Sequence, residues 1–489
     1  MTGKTSKAHS SVNQSHFCMA LDLPQADASG SRVFAPCSGP RVRDVYKVSH
    51  MPENHLKFNG LFRARAIVFC IILLLVAPPP SDAYSVLAHE AIVDSAWDEA
   101  IKPLLLERFP QATPDELKAA HGYAYGGCVI QDMGYYPFGS KLFSDLVHYV
   151  RSGDFVAALL RDSQDLNDYA FALGALAHYA ADNEGHRTGT NLAVPLLYPK
   201  LRRKYGNVVT YDEDPLAHLK TEFGFDVLQV AKGRYASDAY RDRIGFQVSK
   251  DLLARAFQET YSLDLDSVLS NYDLAIASYR RGVSQLIPEA TKIAWQTKKD
   301  EIQHGTPGIT RTAFLYRVSR SSYEKQWPGK YERPGFGTRL LGFLLRLVPK
   351  VGPFRDLAFK IPTPDAEKLF VASFSNALQN YVELAKQQRN SSQTTLVNDN
   401  IDTGAVTGPG QYPLADKTYA DLLDRLQQKN FASVSPELRR TLLAYYDDLN
   451  APFATKKDKK EWAKVVRNVA QLKASLPAAE PAVNRAALR

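Results

Sequence analysis

Two short motifs constrain this chain more than anything else in it. His178-Tyr-Ala-Ala-Asp182-Asn-Glu-Gly-His186 is an HxxxDxxxH pattern, and His218-Leu-Lys-Thr-Glu222 is HxxxE. Side chains four residues apart stand one above the other on a helix face, so helices at both places let each pair converge on one ion. His89, Asp132 and His148 lie upstream, completing a set of five histidines and three carboxylates between residues 84 and 222. An aspartate between two histidines can also give one oxygen to each of two metals. Eight nitrogen and oxygen ligands exceed the needs of one tetrahedral zinc, and carboxylates that leave open positions point to catalysis, not to a closed structural site.

The rest of the pattern agrees with helices. Ala88 to Arg108 carries apolar residues at helical spacing (Ile92, Ala96, Ile101, Leu105), with Pro103 placed to kink or split it. Thr113-Pro114 opens a helix over Asp115 to Ala124, a cap followed by proline at the first helical position. Asp165 to Asp182 is rich in Ala and Leu and predicts a buried stripe at Leu173, Leu176 and Ala177. Asp214-Pro215 opens the helix bearing His218 and Glu222, and Gln247 to Gln296 suggests two more. Few stretches alternate with period two, which argues against a large sheet. The fold class is therefore all-α, a multi-helix bundle whose inward side chains can build a metal site. After about Gly305 the character changes. Tyr323 to Gly337 reads as an irregular connection, and Gln387 to Pro413 as a long loop or linker. Helices return at Lys417 to Asn430, Pro436 to Asp448 and Lys459 to Leu476, giving a mostly helical C-terminal extension without an internal repeat.

The N-terminal part reads differently. Phe62-Arg63-Ala64-Arg65 is a short basic region, Ile67 to Val76 an unbroken apolar run, and Pro78-Pro79-Pro80 ends it before Ser81-Asp82-Ala83. This is a secretory signal, too short to span a bilayer comfortably, with cleavage expected after Ala83; a retained membrane anchor is the alternative. Met51 would start a signal of ordinary length, so residues 51–83 are assigned to it and residues 1–50 to a spurious or disordered extension. An exported protein, secreted or periplasmic, is expected. Beyond residue 83 the net charge is only about +4, weak attraction for anionic lipid or nucleic acid alike. Cys128 alone remains there, so no intrachain disulfide forms; it reads as a buried apolar residue, with a ligand role as the alternative.

Asp132 lies in Gly126-Gly127-Cys128-Val129-Ile130-Gln131-Asp132-Met133-Gly134-Tyr135-Tyr136-Pro137, whose glycines and proline favour a loop. Sixteen residues later His148 closes Asp145-Leu146-Val147-His148. In order and spacing, Tyr84 to about Asp300 resembles the zinc-dependent phospholipase C/D family. That resemblance implies the helical bundle of the phospholipase C and zinc nuclease type over residues 84–304, with residues 305–489 as the C-terminal region. It implies two to three zinc ions. Asp132, His148, His178 and Asp182 would hold one, and His186, His218 and Glu222 a second. His89, Asp182 and the amine of Tyr84 freed by cleavage would hold a third. Asp132 would orient or deprotonate the attacking water. Bacterial members usually begin with tryptophan where this chain has Tyr84, and the short HxxxDxxxH is more like the glycosylphosphatidylinositol-specific phospholipase D branch. C-type and D-type cleavage both stay open.

The implied function is an exported phosphodiesterase acting on a phospholipid or membrane surface, with no specific nucleic acid expected. A zinc-dependent single-strand nuclease and a non-catalytic metal-binding interaction protein are the alternatives. Tyr135, Tyr136 and Phe138 are candidates for the mouth of the site; His121 reads as structural and Glu184 as a solvated carboxylate. Arg339 to Lys350, apolar with basic punctuation, reads as a core helix ending at Pro349 or as a membrane-interface segment.

Overall fold

A computed structural model describes residues 86–136, 138–232, 247–269, 272–281, 295, 298–304, 306–310, 359–390 and 395–475. Residues 1–85, with the signal segment and Tyr84, lie outside this set, as do 323–337 and 339–350. The described residues all belong to one compact unit, residues 67–489.

Every regular element among them is helical, apart from an isolated bridge between Asn400 and Ala405. The order is α1 (Val86–Ala96), a π turn (Trp97–Ile101), α2 (Lys102–Arg108), α3 (Pro114–Val129), a 3-10 turn (Ile130–Tyr135), α4 (Lys141–Tyr149) and α5 (Ser152–Asp162). Next come α6 (Leu166–Gly185), a second π turn (His186–Thr190), α7 (Asn191–Leu197), α8 (Pro199–Tyr205) and α9 (Pro215–Lys232). Then α10 (Lys250–Tyr261), α11 (Leu265–Val268) and α12 (Tyr272–Arg281) precede α13 (Pro364–Asn390), α14 (Pro413–Gln428), α15 (Pro436–Tyr445) and α16 (Lys459–Ala474). No described helix is long and apolar enough to cross a membrane.

The starts follow local chemistry. Thr113 and Glu116 form a reciprocal capping box at α3, with Thr113 N donating to Glu116 Oε2 at 2.8 Å. Asp165 caps α6 by accepting from the amides of Asn167 and Asp168. Asp214 accepts from Ala217 N at 2.9 Å as α9 begins. Pro103 stands inside the first turn of α2, where its missing N–H costs nothing, and the chain is split just before it by the π turn.

α6 is the centre of the bundle. Ala170, Ala172, Leu173, Ala175, Leu176, Ala177, Ala180 and Ala181 are all inaccessible, so the helix is apolar on nearly every side and is covered on each. It packs chiefly against α3 and α13. Small residues bring the first of these very close. A Cβ on Gly127 would lie 1.9 Å from the Phe171 carbonyl oxygen, and one on Gly174 would lie 2.0 Å from that of Ala124.

This close approach corrects the expectation of a loop over Gly126 to Pro137. Gly126 and Gly127 are interior to α3, which runs to Val129 before tightening into the 3-10 turn that carries Asp132. They are contact glycines, not turn glycines.

A second correction concerns the C-terminal half. α13 begins at Thr363-Pro364, the same cap-and-proline start as α3, with Ala366 N bonded to Thr363 Oγ1, and it ends at Asn390, so that only residues 387–390 of the expected linker are helical. Residues 395–412 have no helix, yet Asn400, Ile401 and Asp402 are each only 1% exposed. Burial of a polar stretch needs hydrogen-bond partners, and this strap finds them on α4 and α7. Ile401 N donates to His148 O, and Asn191 Nδ2 to Asp402 O. Apolar residues of α13 to α16 share one continuous core with those of α1 to α7 and α9 to α12.

Candidate metal centre

The helices bring His89, Asp132, His148, His178, Asp182, His186, His218 and Glu222 together, each at most 2% exposed. α1 carries His89, the 3-10 turn Asp132, α4 His148, α6 both His178 and Asp182, the second π turn His186, and α9 His218 and Glu222. A π turn is a local widening of the helix, often found at functional sites; this one starts at His186, four residues after Asp182.

Asp182 stands in the middle. Its Oδ2 faces His178 Nε2 at 3.1 Å and His148 Nε2 at 3.5 Å, while Oδ1 faces His89 Nε2 at 3.4 Å and His186 Nε2 at 3.8 Å. Asp132 Oδ1 lies 3.4 Å from His148 Nε2, and its Oδ2 4.0 Å from His89 Nε2. At the other end Glu222 Oε1 is 2.9 Å from His218 Nδ1 and 3.7 Å from His186 Nε2. The His89 and His178 rings stack 4.3 Å apart.

The outer nitrogens show which atoms face inward. His148 Nδ1 contacts Ser144 O at 2.7 Å and His178 Nδ1 contacts Cys128 O at 2.9 Å. A carbonyl only accepts, so both nitrogens donate, and in the neutral ring that zinc takes each Nε2 would carry the lone pair. Asn191 Nδ2 is committed to Asp402 O, so Asn191 Oδ1 accepts from His218 Nε2 at 2.8 Å, and His218 Nδ1 is left bare. His186 Nδ1 faces Asp402 Oδ1 at 3.3 Å.

Burial without hydrogen bonds is the test of fit. Both oxygens of Asp132 and of Asp182, Nε2 of His148 and of His178, and Nδ1 of His218 are buried with no hydrogen-bond partner. So many orphaned acceptors carry a cost of a few kcal/mol each. Tetrahedral zinc with bonds of about 2.0–2.1 Å sets its ligand atoms roughly 3.3 Å apart, close to most of the separations here. His89, Asp132 and His178 form one group able to hold an ion, and His148, His178 and Asp182 another.

The electrostatics suit cations. Burial opposes the Asp182 carboxylate, but His178 and His186 hold it well below the usual range. Burial dominates at Asp132 and raises it, against the pull of His178 and His148. His218 is depressed to about 3 by burial and by His186 beside it, so it is neutral. Zinc takes imidazole in that form.

The remaining candidates separate clearly. Tyr135 packs on His148 and Tyr211 on His218, with the two tyrosine rings 6.2 Å apart, so they meet over the two ends of the cluster. Tyr136 belongs to the core, and Phe138 is 65% exposed with positive φ. His121 stacks on Trp97 and contacts Asp94, away from the ligands. Glu184 pairs with Arg187 from within α6. The Cys128 thiol is buried against Tyr125 O, and its contribution is the carbonyl that holds His178.

Residues 88–271 match the zinc dependent phospholipase C family. No curated protein and no solved structure gives a match. The matched segment contains every described ligand candidate, but not all of the centre. Asp402 sits beyond it, and pattern reading missed that residue together with Asn191, Tyr149 and Tyr412. No local spacing marks Asp402; the one available hint was an Asn-Asp-Asn-Ile-Asp run too polar to be an ordinary buried segment.

Proposed function

We propose that this protein is an exported zinc-dependent phosphodiesterase whose substrate is a phospholipid. The observation that carries the reading is the convergence of buried, unpartnered carboxylate oxygens and imidazole nitrogens at zinc-ligand separations. In this reading Asp182 is shared between ions. Asp132, His148 and His178 complete one site, and His186, His218 and Glu222 a second. His89 would join the amine of Tyr84 in a third if cleavage follows Ala83.

Bound zinc would neutralise charge on a phosphodiester and acidify a water at neutral pH. The protein's own part is positional. Asp132 is held on a 3-10 turn pinned to α4, since Gly134 N donates to Ser144 Oγ at 2.9 Å and that hydroxyl donates to Gln131 O. Its carboxyl is the candidate to orient the attacking water or take a proton from it. Tyr135 and Tyr211 would exclude bulk water from the space between the two ends.

The test is metal analysis of protein purified in zinc-replete buffer, with parallel hydrolysis assays on phospholipid vesicles and single-stranded DNA. The expected result is about two to three zinc ions per chain, vesicle hydrolysis abolished by chelator, and restoration by zinc. Absence of bound metal sinks the reading. Cleavage of DNA but not lipid would instead make the protein a nuclease.

A further inference from the structure

Asp402 is the one carboxylate outside residues 88–271 that reaches the ligand cluster among the described residues, and its surroundings are unusually complete. It is 1% exposed. Its Oδ2 accepts from Tyr149 Oη at 2.8 Å and from Tyr412 Oη at 2.7 Å, while Oδ1 faces His186 Nδ1 at 3.3 Å. Its amide donates to Asn400 Oδ1 at 3.0 Å, and its carbonyl accepts from Asn191 Nδ2. Asn191 in turn holds His218 Nε2. One residue of the strap is thus connected to both imidazoles of the second site.

We infer that Asp402 is a positioning residue for the proposed zinc centre: it fixes the tautomer and ring direction of His186, and through Asn191 those of His218. The inference rests on the metal reading above and deepens it. An ionised carboxylate only accepts, so a neutral His186 facing it would keep its proton on Nδ1 and turn its lone pair on Nε2 toward Asp182 and Glu222, the form a zinc ion takes. The two tyrosine hydroxyls occupy the other oxygen and leave Oδ1 directed at His186. The strap itself is tied down at Ile401 N to His148 O, at Ser152 Oγ to Asp399 O, and at Asn398 to Asp154. The region beyond the family segment is, on this view, part of the centre and not an appended module.

The decisive variant is Asp402→Asn in the full chain. Asparagine keeps the volume and can accept both tyrosine bonds through its oxygen. Its amide nitrogen then faces His186 Nδ1 donor to donor, which favours the tautomer protonated on Nε2, the wrong nitrogen for binding. Zinc per chain is measured by mass spectrometry, zinc affinity by competition with a chromogenic chelator, and folding by circular dichroism. The expected result is a native spectrum, roughly 10–100-fold weaker binding of about one zinc equivalent, and the remaining zinc unchanged. Turnover should fall through kcat with little change in KM, and Asp402→Glu should recover part of the lost affinity. A folded Asp402→Asn protein that binds all its zinc as tightly as wild type overturns the inference while leaving the metal reading intact. Wild-type protein that binds no zinc overturns both. Should Asp402→Asn misfold, Tyr412→Phe serves: it keeps the carboxylate but loses one anchor. A smaller loss of the same equivalent then supports the inference, and wild-type affinity overturns it.

Discussion

The two ends of the cluster are built on different principles. Around Asp132, His148 and His178, each outer imidazole nitrogen meets a main-chain carbonyl, Ser144 O one turn earlier in α4 and Cys128 O in α3. Around His186 and His218, the outer nitrogens meet side chains, Asp402 and Asn191. A helix carbonyl is fixed once the helix forms, so the first end is set by secondary structure and one helix contact. The second end depends on a strap more than two hundred residues away in sequence from His186. The first is therefore rigid by construction, and the second can be tuned by single side-chain changes.

Substitutions can break that comparison, beginning with the residue the ends share. Asp182→Ala removes the oxygens facing His89, His148, His178 and His186, so both ends should fail together. Zinc content and phosphodiesterase activity are expected to drop further than the roughly 10–100-fold typical of outer-sphere changes. Retention of a full complement at either end would show that they are independent.

Gly174→Val attacks only the first end. Its Cβ would meet the Ala124 carbonyl, which belongs to a helix backbone and cannot swing aside. Overpacking of this kind costs about 1–3 kcal/mol, occasionally more, and should appear as a lowered Tm in zinc-free protein. An unchanged Tm would mean that α3 and α6 separate freely, contrary to the rigidity argued here.

Ser144→Ala is a smaller change at the same end. It deletes the hydroxyl joining Gly134 N to Gln131 O, a loss of about 1 kcal/mol or slightly more. Because Asp132 rides on that turn, kcat should fall while KM and zinc content stay near wild type. A change in KM alone would remove Asp132 from the reaction step. The smallest effect is expected from Glu184→Gln, which breaks an ion pair with the half-exposed Arg187 worth about 1 kcal/mol or less. Altered zinc affinity in that variant would bring Glu184 back among the ligand candidates.

The same contrast explains what could be read from the chain before its structure. His178, Asp182 and His186, like His218 and Glu222, are spaced by the helix repeat, so neighbours in sequence are neighbours in space. The caps at Thr113, Asp165 and Asp214 are equally local, and the helices they start are where the pattern put them. Gly126 and Gly127 misled because glycine serves two purposes. It breaks helices when nothing favours the helix, and it sits inside them when another backbone must pass within contact. Only the partner, Gln247 for Gly126 and Phe171 for Gly127, distinguishes the cases. α13 was legible in principle from Thr363-Pro364, but no element was assigned there, and the linker expected from Gln387 overlaps only the end of the helix.

What the sequence determined by itself is the set of candidate ligand types and the helical spacing that lets them share a face, because both follow from short-range geometry. Tertiary structure alone decided which nitrogen each histidine turns inward, and that a polar strap near the C-terminus would close one end of the cluster. Those choices depend on hydrogen bonds between residues far apart in the chain, such as Asp402 with Tyr149 and His218 with Asn191. No local pattern encodes such pairs; they exist only once α6 has gathered its neighbours and buried the polar groups that then require partners.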